Sequence, residues 1–257
     1  MKRIIAFILS ALMVLSLSGC LGGADSIEIN SVNFPDEVVL HKVKQFDKNR
    51  DGKLSLSERE KVKTIQMDKA EDLTGITYFP NLETLALNYS DCSGFDFSSI
   101  PGVNSILLYE CEIGSLDLSG NSKLEQLNVM NSPLDKLILP AGDNFTNLTC
   151  RECGLTSIDV TVCPKLDHLD IHDNSLTELD ISCCPNLILV SCYGNEISEL
   201  DISKCPELVE TVENSYPSSH TYGDNSGIYR LYYYDDSGDL NIYGVHIYIE
   251  NTTELIW

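Results

Sequence analysis

A short acidic segment near the N-terminus carries oxygen-bearing side chains at a spacing that could bind a metal ion. From Asp47 to Glu58 the sequence reads DKNRDGKLSLSE. Side-chain oxygens fall at places 1, 3, 5, 9 and 12 of this loop, at Asp47, Asn49, Asp51, Ser55 and Glu58. Lys53 would contribute its main-chain carbonyl, and Gly52 permits a sharp turn. Because hard cations prefer oxygen donors, the segment predicts a divalent cation site.

This spacing resembles the EF-hand calcium-binding loop, in which the last Glu binds Ca²⁺ through both oxygens and helices flank the loop. The resemblance implies Ca²⁺ as the ligand and helices over 34–46 and 57–62. EF-hands usually occur in pairs, but no second loop is visible in this sequence. Leu54, at the place that normally meets the partner hand, is therefore expected to pack on the first coil of the domain that follows. A solvated acidic turn without calcium is the alternative.

Most of the remaining chain is built from a repeat of 21 residues. Two copies follow one another from Pro164, PKLDHLDIHDNSLTELDISCC and PNLILVSCYGNEISELDISKC, and the register extends back to Pro80. In the six repeats that start at 80 through 185, repeat positions 3, 6, 8, 13, 16 and 18 are always apolar or cysteine. Such a period predicts coils that cannot bury their apolar side alone and stack on their neighbours.

The fifth repeat identifies the kind of coil. It carries Leu166-x-x-Leu169-x-Ile171-x-x-Asn174-x-Leu176, which resembles the leucine-rich repeat pattern. The resemblance covers residues 80 to about 208 and implies an α/β-type repeat solenoid with short parallel strands. We predict an EF-hand cap over 32–79, leucine-rich repeats over 80–213, and a loop with a closing β-hairpin over 214–257.

The first residues, MKRIIAFILSALMVLSLSGC, predict a secretory leader. Two basic residues precede an apolar run from Ile4 to Leu17 that is too short to span a membrane. The ending Leu17-Ser18-Gly19-Cys20 resembles the lipobox of bacterial lipoproteins. This resemblance implies removal of residues 1–19, acylation of Cys20, a tether over 20–31, and attachment to the extracellular face of a bacterial envelope. Ordinary cleavage beside an incidental cysteine is the alternative.

The net charge indicates which partners the chain can bind, and the cysteine spacing indicates whether its thiols form disulfides. The chain has 17 basic and 39 acidic residues, a net charge of −22, and loss of Lys2 and Arg3 with the leader would make it −24. Such a surface disfavours nucleic acid and favours calcium or cationic partners. Most of the nine cysteines after Cys20 recur with the repeat, which indicates small buried side chains rather than a disulfide framework. Cys150-x-x-Cys153 ends a predicted strand, whereas thiol redox pairs begin a helix.

The concave face of the solenoid, formed by repeat positions 5, 7 and 9, carries unusually large side chains. These positions alternate with the buried ones along each strand. The candidate ligand-binding residues are Tyr109, Met130, Arg151, His168, Asp170, His172 and Tyr193. Such side chains are enriched in binding patches and predict a protein or glycan ligand, against the alternative of a solvated sheet face. The His168, Asp170 and His172 spacing is also known in zinc sites, but Arg151 nearby would repel a cation.

Together these features predict a surface-anchored binding or adhesion protein that calcium stabilises at its N-terminal cap. The chain contains no Gly-x-Ser-x-Gly, no His-Glu-x-x-His and no phosphate-binding loop, so we do not expect an enzyme. An envelope enzyme and a passive surface-layer spacer are the alternatives. The bulky concave face argues against the spacer.

Overall fold

The computed structural model describes residues 25–215, 228–231, 246–250 and 254–256. The predicted leader and Cys20 lie outside these residues, as does the turn predicted to join the two C-terminal strands. Within the described ranges, no helix is long and apolar enough to cross a membrane.

The elements follow one another in a regular order. The N-terminal cap contains β1 (Ile27–Glu28), α1 (Glu37–Val43), β2 (Lys53–Leu54) and α2 (Leu56–Arg59). The solenoid strands are β3 (Thr64–Asp68), β4 (Thr84–Asn88), β5 (Ser105–Tyr109), β6 (Gly114–Asp117), β7 (Gln126–Met130), β8 (Leu134–Ile138), β9 (Asn147–Arg151), β10 (His168–Asp170), β11 (Leu189–Ser191) and β12 (Glu199–Asp201). The chain ends with α3 (Pro206–Ser215), β13 (Ile228–Leu231), β14 (His246–Glu250) and β15 (Glu254–Ile256).

One nine-stranded sheet runs through the molecule in the order β13-β14-β11-β10-β9-β7-β5-β4-β3. All strand pairs from β3 to β11 are parallel, and equal repeat positions face one another, as Leu85, Ile106 and Leu127 do. Strand β3 pairs with β4 in the same way, although it begins 20 residues earlier. The parallel sheet confirms the predicted leucine-rich repeat solenoid.

The core consists of the positions that the repeat predicted. Of the 36 side chains at repeat positions 3, 6, 8, 13, 16 and 18, all are buried except Phe95 and Ile158, which are partly buried. Both exceptions occupy position 16, and the Phe95 ring packs edge-on against Phe97 at 5.1 Å. Because each coil covers the apolar side of the next, the core is continuous along the stack.

A polar ladder at repeat position 11 closes the turn after each main strand. The Asn174 amide donates to the carbonyls of Cys150 and Ile171 at 2.8 and 2.9 Å, and its oxygen accepts from the N–H groups of Cys153 and Leu155 at 3.1 Å each. Its contacts therefore hold two neighbouring coils together.

Serine and cysteine occupy the same ladder position in other repeats and keep part of its bonding. The Ser132 hydroxyl accepts from Cys111 N–H at 2.9 Å and donates to the Met130 carbonyl at 2.9 Å. The Cys111 thiol donates to the Leu87 carbonyl at 3.4 Å. Where this position is not Asn, as at Ser132 and Cys111, the side chain still forms hydrogen bonds with the main chain.

An aspartate at repeat position 17 caps the outer turn of five coils. Its carboxylate accepts a hydrogen bond of 2.8–3.0 Å from the N–H two residues later, at Asp96, Asp117, Asp159, Asp180 and Asp201. Main-chain bonds first, and then the hydroxyl of the same serine, lower the pKa of Asp117 and Asp201, whereas for Asp180 the Ser182 hydroxyl is the larger cause and the main-chain bond the second. Turn formation therefore explains the repeated acid, and its stabilising effect is present near neutral pH and lost as the pH falls through the lowered pKa.

Eight of the nine cysteines from Cys92 onward are buried, and Cys183 is exposed. Cys163, Cys184 and Cys205 stack at repeat position 21, and the Cys184 thiol donates to the Val160 carbonyl at 3.3 Å. Burial raises the pKa of Cys184 to about 12, so this thiol remains protonated. These cysteines act as small core side chains, in agreement with their repeat spacing.

The C-terminal end departs from the repeat at Pro206. Residues up to 213 are predicted as repeats, but Pro206–Ser215 form helix α3 instead. A proline at the first helical position is favourable, and Leu208 on the same turn is fully buried. The next strand of the sheet comes from β14, which pairs parallel with β11, while β13 pairs antiparallel with β14 as predicted for a hairpin.

Candidate functional site

The predicted ligand-binding residues lie on adjacent strands because the repeat length is constant. Strand register places Tyr109 beside Met130, and Met130 beside Arg151. His172 and Tyr193 occupy the same repeat position directly after β10 and β11, and their rings stack at 4.5 Å with an angle of 13°. The position-9 side chains therefore form one line across the concave face.

Five of these side chains form a continuous chain of contacts. An Arg151 guanidinium nitrogen lies 2.7 Å from the Met130 sulfur, and another lies 3.9 Å from an Asp170 carboxylate oxygen. The other Asp170 oxygen contacts His172 Nδ1, and His172 stacks on Tyr193. Arg151 and Asp170 fix each other's position, so the cluster presents a polar surface that is arranged before any ligand arrives.

His168 does not join this cluster. Its Nδ1 lies 2.5 Å from the Asp167 carboxylate, whereas His172 is held by Asp170. Across the part of the chain that the structure describes, no group of three or more His, Cys, Asp or Glu side chains is arranged to hold a metal ion. In this structure His168 and His172 each form a hydrogen bond with a neighbouring aspartate.

Two exposed side chains were not among the candidates from the sequence. Tyr89 is 50% exposed and Leu107 is 38% exposed, and both lie next to Tyr109 on the concave side of β4 and β5. The Tyr89 and Tyr109 rings pack edge to face at 5.6 Å. Tyr89 follows its strand in a left-handed conformation with φ of 54°. Strand alternation does not describe a residue in that conformation, which is why the pattern did not include it.

The predicted calcium loop has a backbone that its own carboxylates organise. Asp47 accepts hydrogen bonds from the N–H groups of Arg50 and Gly52 at 2.7 and 3.0 Å. Glu58 spans the loop, because its oxygens accept from the N–H groups of Lys48 at 2.8 Å and Ser55 at 2.9 Å. Gly52 has φ of 80°, which L side chains rarely adopt.

These bonds engage carboxylate oxygens that the resemblance assigns to the cation. Hydrogen bonds from the Ser55 side chain and main chain, with those from Lys48 and Asn49, lower the pKa of Glu58 to about 2. The Asn49 amide bonds to Asp51 at 2.9 Å, so two predicted ligands contact each other. In chemical type the donors fit a hard cation. In this structure the Asp47 and Glu58 oxygens accept hydrogen bonds from N–H groups of the loop itself.

The predicted calcium loop contributes to the core of the molecule. Leu54 is fully buried there, and β2 pairs antiparallel with β1 through Ile27 and Glu28. This strand lies within the segment predicted as a tether. Arg59 binds the Asp25 main-chain and side-chain oxygens at 2.7 and 2.9 Å and holds this segment in place.

The cap helices are shorter than the EF-hand resemblance implies. Helix α1 covers Glu37–Val43 and α2 covers Leu56–Arg59, compared with the predicted 34–46 and 57–62. Asp36 begins α1 and also accepts from Glu71 N–H at 2.8 Å, which joins the helix to the opening coil. Gly75 is needed in this coil because a Cβ there would lie 2.5 Å from the Phe34 ring.

The sequence matches no family model and no curated protein. Among solved structures, it is similar to an internalin (inlF) from Listeria monocytogenes, with 17% identity and a TM-score of 0.51 over 68% of this chain and 60% of that one. It is also similar to an internalin C2 (inlC2) from the same organism, with 19% identity and a TM-score of 0.50 over 74% of this chain and 96% of that one. The chain thus spans less than two thirds of the first of these structures. At these identities the similarity shows the fold alone, and that fold is the leucine-rich repeat solenoid.

Proposed function

We propose that this protein binds a protein ligand through the concave face of its solenoid. The observation that carries the proposal is the contact chain from Met130 through Arg151, Asp170 and His172 to Tyr193. Arginine and tyrosine are the side chains that most often dominate binding energy, and here neighbouring groups hold them in place. A solvated sheet face has no need of such an arrangement. Binding rather than catalysis is the activity that these side chains support.

The concave face is tested by comparing variants on opposite sides of the solenoid. A protein captured by the purified chain from cell-surface extracts is identified and then titrated against each variant. Arg151→Ala and Tyr193→Ala are expected to weaken binding by about fivefold or more each, because a hot-spot side chain contributes about 1 kcal/mol or more. Glu178→Ala, an exposed position between strands, is the matched control. Equal losses in all three variants would contradict this assignment.

A second proposal is that Ca²⁺ stabilises the N-terminal cap. It is supported by the donor set of Asp47, Asn49, Asp51, Ser55 and Glu58, by the Lys53 carbonyl position, and by a loop backbone that is already turned. Because β2 of the loop pairs with β1, ordering of the loop would also order the segment that leads towards Cys20. The cation would supply charge neutralisation for three carboxylates and has no catalytic part in this proposal.

We further propose that the chain is anchored at the outer face of a bacterial envelope through acylated Cys20. The lipobox-like ending of the leader supports this proposal, and two or three acyl chains give durable attachment. Cys20→Ser is expected to move nearly all of the protein from the membrane fraction to the soluble fraction, measured by fractionation and immunoblotting. Cys183→Ser, which removes an exposed thiol, is expected to leave the protein in the membrane fraction. Membrane partition that is unchanged in Cys20→Ser would contradict the anchor.

A further inference from the structure

The N-terminal half of the concave face has an exposed apolar patch that the ligand-contact chain does not use. Tyr89 and Leu107 are two of only five large hydrophobic side chains exposed among the described residues. With Tyr109 they lie on adjacent strands, and the Tyr89 N–H donates to the Tyr109 carbonyl at 2.8 Å. The two tyrosine rings pack edge to face, so the exposed faces of the pair are held in one orientation.

Carboxylates surround this tyrosine patch. Glu110 follows Tyr109 and its carboxylate accepts a hydrogen bond from the Tyr109 hydroxyl, which raises the pKa of Tyr109. Beyond it, Glu152 lies 2.9 Å from the Asn131 amide nitrogen when that amide is oriented to donate. On the other side, Asp68 accepts from the Asn88 amide at 2.7 Å. The acids are therefore fixed on both sides of the patch.

Acidic side chains outnumber basic ones on the concave side. Repeat positions 5, 7, 9 and 10, counted from Thr64 in the opening coil to Gly194, contribute five carboxylates, at Asp68, Glu110, Glu152, Asp170 and Asp173. They contribute two cations, Lys69 and Arg151, and the Arg151 charge is offset by Asp170 at 3.9 Å. The net charge of −22 over the whole chain has the same sign and would attract a cationic partner from a distance.

We propose that this half of the concave face binds an extended protein segment rich in lysine and arginine. One or more basic side chains lie on the Tyr89 and Tyr109 rings, where an aromatic face attracts a cation. The carboxylates of Glu110 and its neighbours pair with the remaining charges. This inference rests on the proposed concave-face function and adds the chemical class of the partner.

The test uses the purified full chain and two labelled synthetic peptides of equal length. In one, lysine and arginine alternate with glycine and serine, and in the other glutamine replaces every basic residue. Fluorescence anisotropy gives each Kd at low and at physiological salt. We expect the basic peptide to bind at least about tenfold more tightly. Tyr89→Ala and Glu110→Gln should each raise the Kd of the basic peptide by about fivefold, and Tyr89→Phe should leave this Kd nearly unchanged.

Glu178→Gln is the matched control, because it removes an equal charge from an exposed position outside the concave face. Equal weakening by Glu178→Gln and Glu110→Gln would show general attraction to an acidic protein and would overturn the inference. No preference for the basic peptide would overturn it as well. The basic peptide could show no preference while Arg151→Ala and Tyr193→Ala still weaken binding of the captured protein. In that case the concave-face function stands and only the partner class is wrong.

Discussion

Asn174→Ala is expected to destabilise the solenoid by roughly 3–5 kcal/mol, since each buried main-chain group left unpaired costs about 1–3 kcal/mol. The substitution leaves the N–H groups of Cys153 and Leu155 without their acceptor and the Cys150 carbonyl without its donor. These three groups belong to the coil that precedes the coil of Asn174, so the loss also weakens the contact between the two coils. For a chain of this size the melting temperature should fall by about 10 °C, measured by circular dichroism.

Two further variants decide whether the ladder causes this effect. Asn186→Ala removes an exposed amide that donates to the Pro164 carbonyl at 3.3 Å, and a change within about 0.5 kcal/mol is expected. Asn174→Ser should restore part of the stability, because Ser90 and Ser132 accept main-chain N–H groups at the same repeat position. If Asn174→Ala melts no lower than Asn186→Ala, the ladder does not hold the coils together.

Calcium is expected to raise the melting temperature of the wild-type chain, and Glu58→Gln should remove most of that increase. The predicted Kd is roughly 10⁻⁵ to 10⁻³ M, the range of sensor to extracellular sites. A ligand that binds only the folded state at a hundredfold excess over Kd stabilises it by about 2.7 kcal/mol. Glu58 is the predicted bidentate ligand, so its loss should leave little calcium response. The measurement is thermal melting with calcium and with chelator.

The control for this prediction is Glu60→Gln, an exposed carboxylate two residues away that is not a predicted ligand. It should respond to calcium as the wild type does. Hydrogen exchange adds a local readout, because calcium should protect residues 27–28 and 53–54, which pair in the cap, more than the distant repeats. A wild-type chain that melts at one temperature under both conditions would rule out a calcium-stabilised cap.

The repeat made most of the solenoid predictable. Because the register is constant, equal positions stack on one another, so the sequence alone predicts that Met130 lies beside Arg151. It also predicted the core, where only Phe95 and Ile158 of the expected side chains are less than fully buried. In such a fold the sequence neighbours and the spatial neighbours follow the same period.

Features that depend on contacts outside the repeat were not predictable in the same way. Strand β1 has only two residues and forms through its pairing with β2, so no periodic sequence pattern predicts it. Helix α3 begins where the repeat ends, and the polar residues after Pro206 are equally compatible with a loop. Tyr89 lies on the concave side because of its left-handed backbone, which strand alternation does not describe. The contacts of Asp170 with both Arg151 and His172 likewise required side-chain positions.

The central claim, that the concave face binds a protein ligand, is tested most directly by site-specific photocrosslinking. A photoreactive residue is introduced at Asn147 or Thr149 on the concave face, or at Glu178 or Lys165 outside it, and each chain is irradiated with the captured ligand. Crosslinked product should form from the two concave positions and be nearly absent from the two others. Crosslinking that occurs mainly from Glu178 and Lys165 would contradict the claim.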